Sequence, residues 1–589
     1  MTTDRRIEAK RVRDDATLTA FNRGHPEHKA NGDEQRYATA NYAMSFTKGL
    51  NHCANTGLLL EKGDFEAFRQ AIDNGLIEPF STRVSVPTAK GKDRRRWEAP
   101  TAGIVFDLQG PDAQAVTMPP APALGTNELT FEMAEVYELA LLRDVSFEEF
   151  DKNGGGTAVT ASIDRLNHMT YAKDGFVGRP RKTNAAGKLD KQTAFRGSSP
   201  GVENGPYLSQ FMIMGNSDRS GTVDQTKGII SYGAQTIDQR VPEAKCKDDY
   251  MVDFADWHNV QQGFAIKGPT QEFLKNRRLI TTPRDLATYV HFDALYQAYL
   301  NACLILLSNG TAFDPAFDNL SGSSDHEVLV NAAGPKSIKS NTGGFALFGG
   351  PHILTLVTEV ATRALKAVRY QKFNNHIRLR PEVLAARLHC AKEIEKKHPE
   401  ICGIFSETIK DMKKTTTEIR SHNKSLPAKA NTVLLPMAFA EGSPMHPAYG
   451  AGHATVAGAC VTVLKAFFDT SAVLAEKGGV VGFFTKEQLG SGAVQAKQFK
   501  VIGKGASLKI VKADKPLTLE GELNKLAANI SIGRNMAGVH YFSDYFDSAR
   551  MGEEIAIGML EEQALGYTLD PFVMSLPTFD GDVVRIGRR

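Results

Sequence analysis

The feature that most constrains the fold is a segment near position 460 that is apolar on almost every side. Residues 454–468 are nearly all Ala, Val, Gly, Cys, Leu and Phe, and the small residues Gly450, Ala451 and Gly452 precede them, separated by His453 alone. A helix without a polar face must be surrounded by other elements of the protein. The sequence therefore predicts a central, buried helix in a helical bundle.

Further helical patterns flank this segment. Thr282-Pro283-Arg284-Asp285 is typical of a capped helix start, and we expect one helix from there to about Asn309. A shorter helix is expected from about Asp64 to Asn74, ending at Gly75. The other predicted helices are 352–368, 381–397, 454–468, 519–537 and 543–565.

These patterns divide the chain unequally. Residues 1–280 are mostly irregular and Gly- or Pro-rich, and we expect them to be partly helical, to pack on the core and to form an oligomer interface. Residues 281–589 are expected to form the helical-bundle core that carries the site. We predict a mainly α protein in which the two parts form one continuous domain.

Charge and composition exclude several classes. The 70 basic and 67 acidic residues leave a net charge of +3, which does not favour nucleic-acid binding. No run of about 18 apolar residues is present, and residues 1–15 do not resemble a secretion signal, so we expect a soluble, cytoplasmic protein without membrane contact. The six cysteines form no CxxC pair; Cys303 and Cys460 are expected to be buried.

Three separate segments carry cations and imidazoles. Lys372 ends one predicted helix, and Arg380 directly precedes the proline that starts the next. His446 lies in a second segment, whose end, Ala451-Gly452-His453, leads into the central helix, where free N–H groups and the helix dipole favour an anion.

The third segment contributes Arg534, then His540, with Asp544 four residues later. If residues 540–544 are helical, the carboxylate lies on the same face as the imidazole and orients it.

Taken singly, each cation is typical of a surface charge, and each histidine of a structural residue. Taken together, three cations offset a tetrahedral trianion, two guanidiniums suit its oxygens, and two histidines supply a ligand or nucleophile and an acid–base group. The pattern indicates phosphate, vanadate or a phosphoryl transition state.

These residues match a known family pattern. The chain resembles the vanadium haloperoxidases and their acid phosphatase relatives, and in particular the coralline red-algal bromoperoxidases and their cyanobacterial homologues. The motif residues are Lys372, Arg380, Pro381, His446, Gly452, His453, Arg534, Gly538, His540 and Asp544. The likeness extends to residues 31–37, 210–216, 349–354, 435–442 and 535–542.

The resemblance implies two four-helix bundles around a vanadate site and a reaction in which hydrogen peroxide oxidises bromide or iodide, followed by halogenation of a small organic acceptor. It implies that His540 coordinates vanadium and that Asp544 supports it. The other implied vanadate contacts are Lys372, Arg380, Arg534 and the amide of Gly452.

Catalytic roles also follow from the resemblance. His453 is expected to accept a proton from peroxide, and Lys372 to make the bound peroxide more electrophilic. His446 stands where bromoperoxidases have histidine, which favours bromide and iodide over chloride. The likeness further implies a dimer-based dodecamer.

Two features depart from the family pattern. Ala451 stands where relatives have a serine that donates to vanadate, so we expect weaker vanadate binding here. A structural Ca²⁺ loop in relatives has a diverged counterpart in Phe313-Asp314-Pro315 with Asp318 and Asp325.

Two other functions stay open from the sequence. An acid phosphatase would use the same pocket, with His540 as nucleophile and His453 as general acid. A non-catalytic oxyanion-binding protein would need neither acid–base group. The long N-terminal half and the extended coralline matches favour the haloperoxidase.

Overall fold

The structure is a computed structural model of the chain. It describes residues 4–151, 154–217, 224–321, 327–331, 335–339, 343–491, 494–568 and 572–588. Helices predominate, and the strands form small two-stranded sheets between them.

The α-helices, in chain order, are α1 (Arg5–Asn22), α2 (Asp33–Arg36), α3 (Lys62–Asn74), α4 (Glu78–Thr82), α5 (Asn127–Leu141), α6 (Thr157–Asn167), α7 (Thr170–Lys173), α8 (Phe254–Gln261), α9 (Pro283–Phe292), α10 (Gln297–Ser308), α11 (Asp318–Ser321), α12 (Gly350–Tyr370), α13 (Pro381–His389), α14 (Ala391–Lys397), α15 (Ile404–Asp411), α16 (Lys413–Ser425), α17 (Gly452–Phe467), α18 (Lys486–Leu489), α19 (Leu519–Met536) and α20 (Phe542–Ala564).

The strands pair as antiparallel neighbours. They are β1 (Ile229–Tyr232) with β2 (Gln235–Asp238), β3 (Val241–Ala244) with β4 (Phe273–Arg278), β5 (Glu327–Asn331) with β6 (Pro335–Lys339), β7 (Val473–Lys477) with β8 (Val480–Phe484), β9 (Lys497–Ile502) with β10 (Ser507–Lys512), and β11 (Phe572–Pro577) with β12 (Val583–Arg588).

The central helix predicted from the sequence is α17. It packs against α12, α19 and α20, and every residue from Ala454 to Phe467 is buried. Glycines allow the closest approach: a Cβ built on Gly458 would lie 2.0 Å from the carbonyl oxygen of Ala549, and one on Gly552 would lie 2.0 Å from that of Thr455. Any larger residue at either position would push α17 and α20 apart.

Two predicted helices are each divided in the structure. The capping box at Thr282 is present, but α9 ends at Phe292, and α10 follows at an angle of 98°. The prediction of one helix from 282 to 309 was therefore wrong: Asp293 has an extended backbone at the break, and its carboxylate contacts His453. The helix expected from 381 to 397 is likewise split, into α13 and α14 at Cys390.

Other sequence predictions hold. α3 ends at Gly75, which has φ of 75° in the left-handed region, and Cys303 and Cys460 are buried. Among the described helices, none alone has the length and apolar composition of a membrane span; α9 and α10 meet that test only as a bent pair.

The first half of the chain contributes to the same core as the second. α5 is buried along most of its length and packs against α16, α19 and α20. One hydrophobic cluster contains residues from both sides of position 280. The division at residue 280 stays a prediction, as does the role of the first part in an oligomer interface.

Candidate active site

A cavity of about 340 Å³ opens at the N-terminus of α17. Five residues predicted for the site line it: His446, Gly452, His453, Arg534 and His540. The other four predicted residues are not part of this lining: Lys372, Arg380, Ala451 and Asp544. The fold therefore brings the three sequence segments together at one place.

Lys372 and Arg380 come from opposite ends of one tight connection. α12 continues into a π-helical turn at Gln371–His376, which contains Lys372, and Arg380 is the residue directly before α13. Both side chains are fully buried. The Lys372 ammonium donates to the carbonyl oxygens of Pro447 (2.8 Å) and Ala448 (3.2 Å).

The Arg380 guanidinium joins the two other segments. It donates through Nε to the carbonyl of His446 (2.9 Å), through Nη2 to Nδ1 of His446 (2.8 Å), and through Nη1 to the carbonyl of Val539 (2.8 Å). Nη1 also donates to Nε2 of His540 (2.9 Å). The guanidinium therefore lies beside the lone pair that a metal would use.

His540 has a defined tautomer. Its Nδ1–H donates to Oδ2 of Asp544 at 2.7 Å, which leaves the lone pair on Nε2. This contact was predicted, but on the assumption that residues 540–544 are helical. In the structure α20 begins at Phe542, so His540 lies before the helix. Asp544 reaches back as an N-terminal cap and also accepts from the backbone N–H of Tyr541 at 3.0 Å.

A buried ionic chain behind Asp544 was missed from the sequence. Arg378 donates to Oδ1 of Asp544 at 2.9 Å and forms a second ion pair with Glu132, whose other oxygen accepts from the hydroxyl of Ser543 at 2.6 Å. These side chains are fully buried or nearly so. Because Glu132 comes from α5, far away in the sequence, no local pattern could indicate it.

Arg534 and Gly452 face the cavity from α19 and α17. The Arg534 guanidinium donates through Nη1 to the carbonyl of Val290 at 2.7 Å. Its buried Nε has no hydrogen-bond partner among the described residues. Gly452 is the first residue of α17, where backbone N–H groups have no acceptor within the helix. Both groups are therefore available to an anion.

His453 has a carboxylate partner that the sequence did not reveal. Its Nε2–H donates to Oδ1 of Asp293 at 3.2 Å, and that carboxylate is buried at the break between α9 and α10. This leaves the lone pair of the neutral ring on Nδ1. Burial lowers the pKa of His453, which favours the neutral ring.

His446 connects the cation cluster to the rim of the cavity. Because its Nδ1 accepts from Arg380, its proton lies on Nε2, which is 3.4 Å from a carboxylate oxygen of Glu98. A further cation, Arg369 of α12, lines the cavity next to it. In the part of the chain that the structure describes, Nε and Nη1 of Arg369 are buried without a hydrogen-bond partner.

Ala451 is the N-cap residue of α17, and the helix has no side-chain cap there. Its backbone N–H donates to the hydroxyl of Ser548 at 2.8 Å. Only a new side chain at this position, and not its amide, would add a donor to the site.

No carboxylate of the described residues forms a hydrogen bond with Lys372, Arg380 or Arg534. The partners described for these cations are carbonyl oxygens and imidazole nitrogens. Burial and the neighbouring cations lower the pKa of Lys372 far below its ordinary value, and burial lowers that of Arg380 to about 9. Uncompensated buried charges are unfavourable, so a multiply charged anion would stabilise them.

Fold and site together define an oxyanion-binding helical-bundle protein. Vanadate fits on two observations: the lone pair of His540 lies on Nε2, where it accepts from Arg380, and buried donors of Arg369 and Arg534 have no partner among the described residues. Among the residues that the structure describes, no group of three or more His, Cys, Asp or Glu side chains is placed to hold a metal ion.

Comparisons with known proteins agree with this class. Residues 414–564 match the family model described as the VCPO second helical-bundle domain. The chain is 41% identical to a vanadium-dependent bromoperoxidase of Corallina pilulifera, covering 97% of this chain and 96% of that one. It is 40% identical to the enzyme of the same name from Corallina officinalis, with the same coverage.

A solved structure shows the same fold. The homohexameric second vanadate-dependent bromoperoxidase of Ascophyllum nodosum superposes with a TM-score of 0.76 at 24% identity, covering 100% of this chain and 91% of that one. Taken with the identity to the Corallina proteins, this places the chain in the family of vanadium-dependent bromoperoxidases. The predicted family and helical-bundle fold class are confirmed.

Proposed function

We propose that this enzyme uses vanadate and hydrogen peroxide to oxidise bromide, and also iodide, to hypohalous acid or an equivalent that halogenates a small organic acceptor. The observation that carries the proposal is the buried cluster of Lys372, Arg380 and Arg534 beside Nε2 of His540, with no carboxylate among the described hydrogen-bond partners of these cations. The chain is also 41% and 40% identical to two bromoperoxidases over 97% of its length, which supports the proposal.

The geometry supports the residues that the resemblance implies for holding vanadate. Nε2 of His540 would coordinate vanadium once Arg380 Nη1 turns from it to an oxygen, and Lys372, Arg534 and the Gly452 amide would bind further oxygens. When bound, vanadium(V) supplies Lewis-acid activation of peroxide without changing its oxidation state. The Arg378–Glu132 pair fixes Asp544, and Asp544 fixes the tautomer of His540.

Proton handling falls to His453. Oxidation of one bromide by one peroxide consumes one proton and yields hypobromous acid and water. The neutral imidazole accepts the proton of incoming peroxide at Nδ1, while Asp293 holds Nε2–H and stabilises the imidazolium. Lys372, whose ammonium donates to the carbonyls of Pro447 and Ala448, would also donate to peroxide held at the site and make it more electrophilic.

Halide binding is assigned to the rim of the cavity. Nε and Nη1 of Arg369 are donors without a partner among the described residues, and a halide ion suits them because it accepts hydrogen bonds from any direction. The Nε2–H of His446 lies on the same side, next to Glu98. The preference for bromide and iodide over chloride rests on this histidine.

A bromination assay tests the function. Metal-stripped protein in phosphate-free buffer should brominate a phenolic dye with peroxide and bromide only after orthovanadate is added, and added phosphate should compete. Hydrolysis of a phosphate ester that vanadate inhibits, without bromination, would instead support the acid phosphatase. Tight vanadate binding without either reaction would indicate a binding protein.

A homo-oligomer is part of the proposal, and a dodecamer built from dimers is its specific form. The Ascophyllum relative is described as homohexameric. In this chain α1 has no buried residue, and the exposed loop 104–108 presents Phe106 (83% exposed) and Leu108 (103%) to solvent. Apolar groups of this size are typical of an interface, so a second copy is expected to cover them.

Replacing Phe106 by Asp should therefore weaken assembly. A charge in a buried apolar contact is unfavourable, so we expect at least a tenfold rise in the dissociation constant between subunits. Light scattering coupled to size exclusion measures it across a dilution series. Phe345→Asp is the control, because Phe345 is 69% exposed near the opposite end of α12. Equal loss in both variants, or in neither, would place the interface elsewhere.

Two finer predictions concern calcium and location. For the calcium loop, Asp314 is buried and accepts from the N–H of Ala316 at 2.8 Å, while Asp325 lies outside the described residues. Metal analysis after chelation would decide this. The cytoplasmic location is likewise untested.

A further inference from the structure

Glu98 is a carboxylate at the rim of a cavity otherwise dominated by cations. Its side chain is 47% exposed, and its backbone is fixed: its N–H donates to the carbonyl of Met445 at 3.1 Å, and the adjacent Trp97 donates through Nε1 to the carbonyl of Lys48 at 2.9 Å. The backbone is therefore held while the carboxylate keeps access to solvent.

The carboxylate faces the groups assigned to the halide. One oxygen lies 3.6 Å from Nη2 of Arg369 and 3.4 Å from Nε2 of His446, both longer than a good hydrogen bond. A half-exposed ion pair of this length contributes little to stability. The other carboxylate of the lining, Glu441, is instead paired with His291 at 3.0 Å. Glu98 thus has no strong partner that would fix it in place.

A halide and this carboxylate compete for the same positive potential. Arg369 and the nearby Arg95 and Arg534 would otherwise hold a spectator anion in the cavity. A negative charge a few ångströms from the halide position lowers halide affinity, and this effect is screened only in part by solvent.

We propose that Glu98 is a displaceable internal counter-ion that sets the bromide affinity of the cavity through Arg369. Bromide binds as the carboxylate turns outward to solvent, and the carboxylate returns when the anion leaves. The inference rests on the proposed function for its physiological meaning, but the binding it describes is measurable without turnover.

The test compares Glu98→Gln with Glu359→Gln. Glu359 is a matched control: it lies on α12 with Arg369, is 40% exposed, pairs with Arg363 at 2.6 Å, and is outside the cavity lining. Bromide binding to vanadate-loaded protein without peroxide is measured from the line width of bromide NMR. We expect a dissociation constant about three- to tenfold lower in Glu98→Gln, with a parallel fall in KM for bromide, and no change in the control.

A second comparison isolates Arg369. In an Arg369→Gln background, Glu98→Gln should no longer change the bromide dissociation constant, because the group it competes for is gone. Equal shifts in both glutamate variants, no shift in either, or an undiminished shift without Arg369 would overturn the proposal. If bromide binding follows the expected pattern but the protein does not brominate, the inference about Glu98 holds and the proposed function is wrong.

Discussion

His540→Gln should abolish vanadate-dependent bromination. Nε2 of His540 carries the lone pair beside the cation cluster, since Nδ1–H donates to Asp544. Loss of residues that merely orient a ligand histidine costs about 10- to 100-fold in metal affinity, so loss of the ligand itself should exceed about 100-fold. Equilibrium dialysis against orthovanadate, or vanadium NMR, measures the affinity directly.

The control for this variant is His52→Gln. His52 is equally buried, lies outside the cavity lining, and its Nε2 bonds to the hydroxyl of Thr47 at 2.9 Å, a contact that glutamine can replace. It should leave vanadate affinity unchanged. Asp544→Asn should fall between the two, because it loses the charge but keeps an acceptor. Wild-type affinity in His540→Gln would place vanadate elsewhere.

The sequence predicted the parts of the site that depend on local chemistry. Arg380 before a proline, small residues before an apolar helix, and Asp544 four residues after His540 are all short-range patterns. The central helix α17 was predicted for the same reason, because an all-round apolar segment has few alternatives.

Contacts that depend on distant pairing could not be predicted. Asp293 reaches His453 only because α9 and α10 are separate, and their joint sequence fits a single helix equally well. Glu132 supports Asp544 from α5 through Arg378, and neither partner is marked by a motif. Periodicity reports which face of an element is apolar, but not which remote charge will be buried against it.

Buried ion pairs between residues that are distant in the sequence therefore support much of the site. Lys48, from the irregular first part of the chain, forms a fully buried ion pair with Glu382 of α13 and donates to the carbonyl of Ser443 at 2.7 Å. That pair supports the loop that leads to His446. The first part of the chain thus shapes the cavity as well as covering the bundle.

Ala451→Ser should tighten vanadate binding by about tenfold to a hundredfold. A hydrogen bond to a charged acceptor contributes about 1.5–3 kcal/mol, which corresponds to that range. Position 451 is directly before Gly452, which lines the cavity, and the residue there has no side-chain donor. Dialysis against orthovanadate gives the dissociation constant for both proteins. Unchanged affinity would mean that this position does not contact the anion.

A serine at position 451 would also act as the N-cap of α17, and this second effect must be separated from the first. A cap stabilises the helix by about 1 kcal/mol whether or not an anion is bound. The cap should raise Tm by the same amount with and without vanadate. A hydrogen bond to vanadate should raise only the Tm of the vanadate-bound protein. Ala451→Cys is the matched control, since its thiol has a similar size but is a weak donor. The measured quantity is the rise in Tm that vanadate causes in each protein. If this rise is larger than wild type in the serine variant and equal to wild type in the cysteine variant, the gain belongs to the hydroxyl.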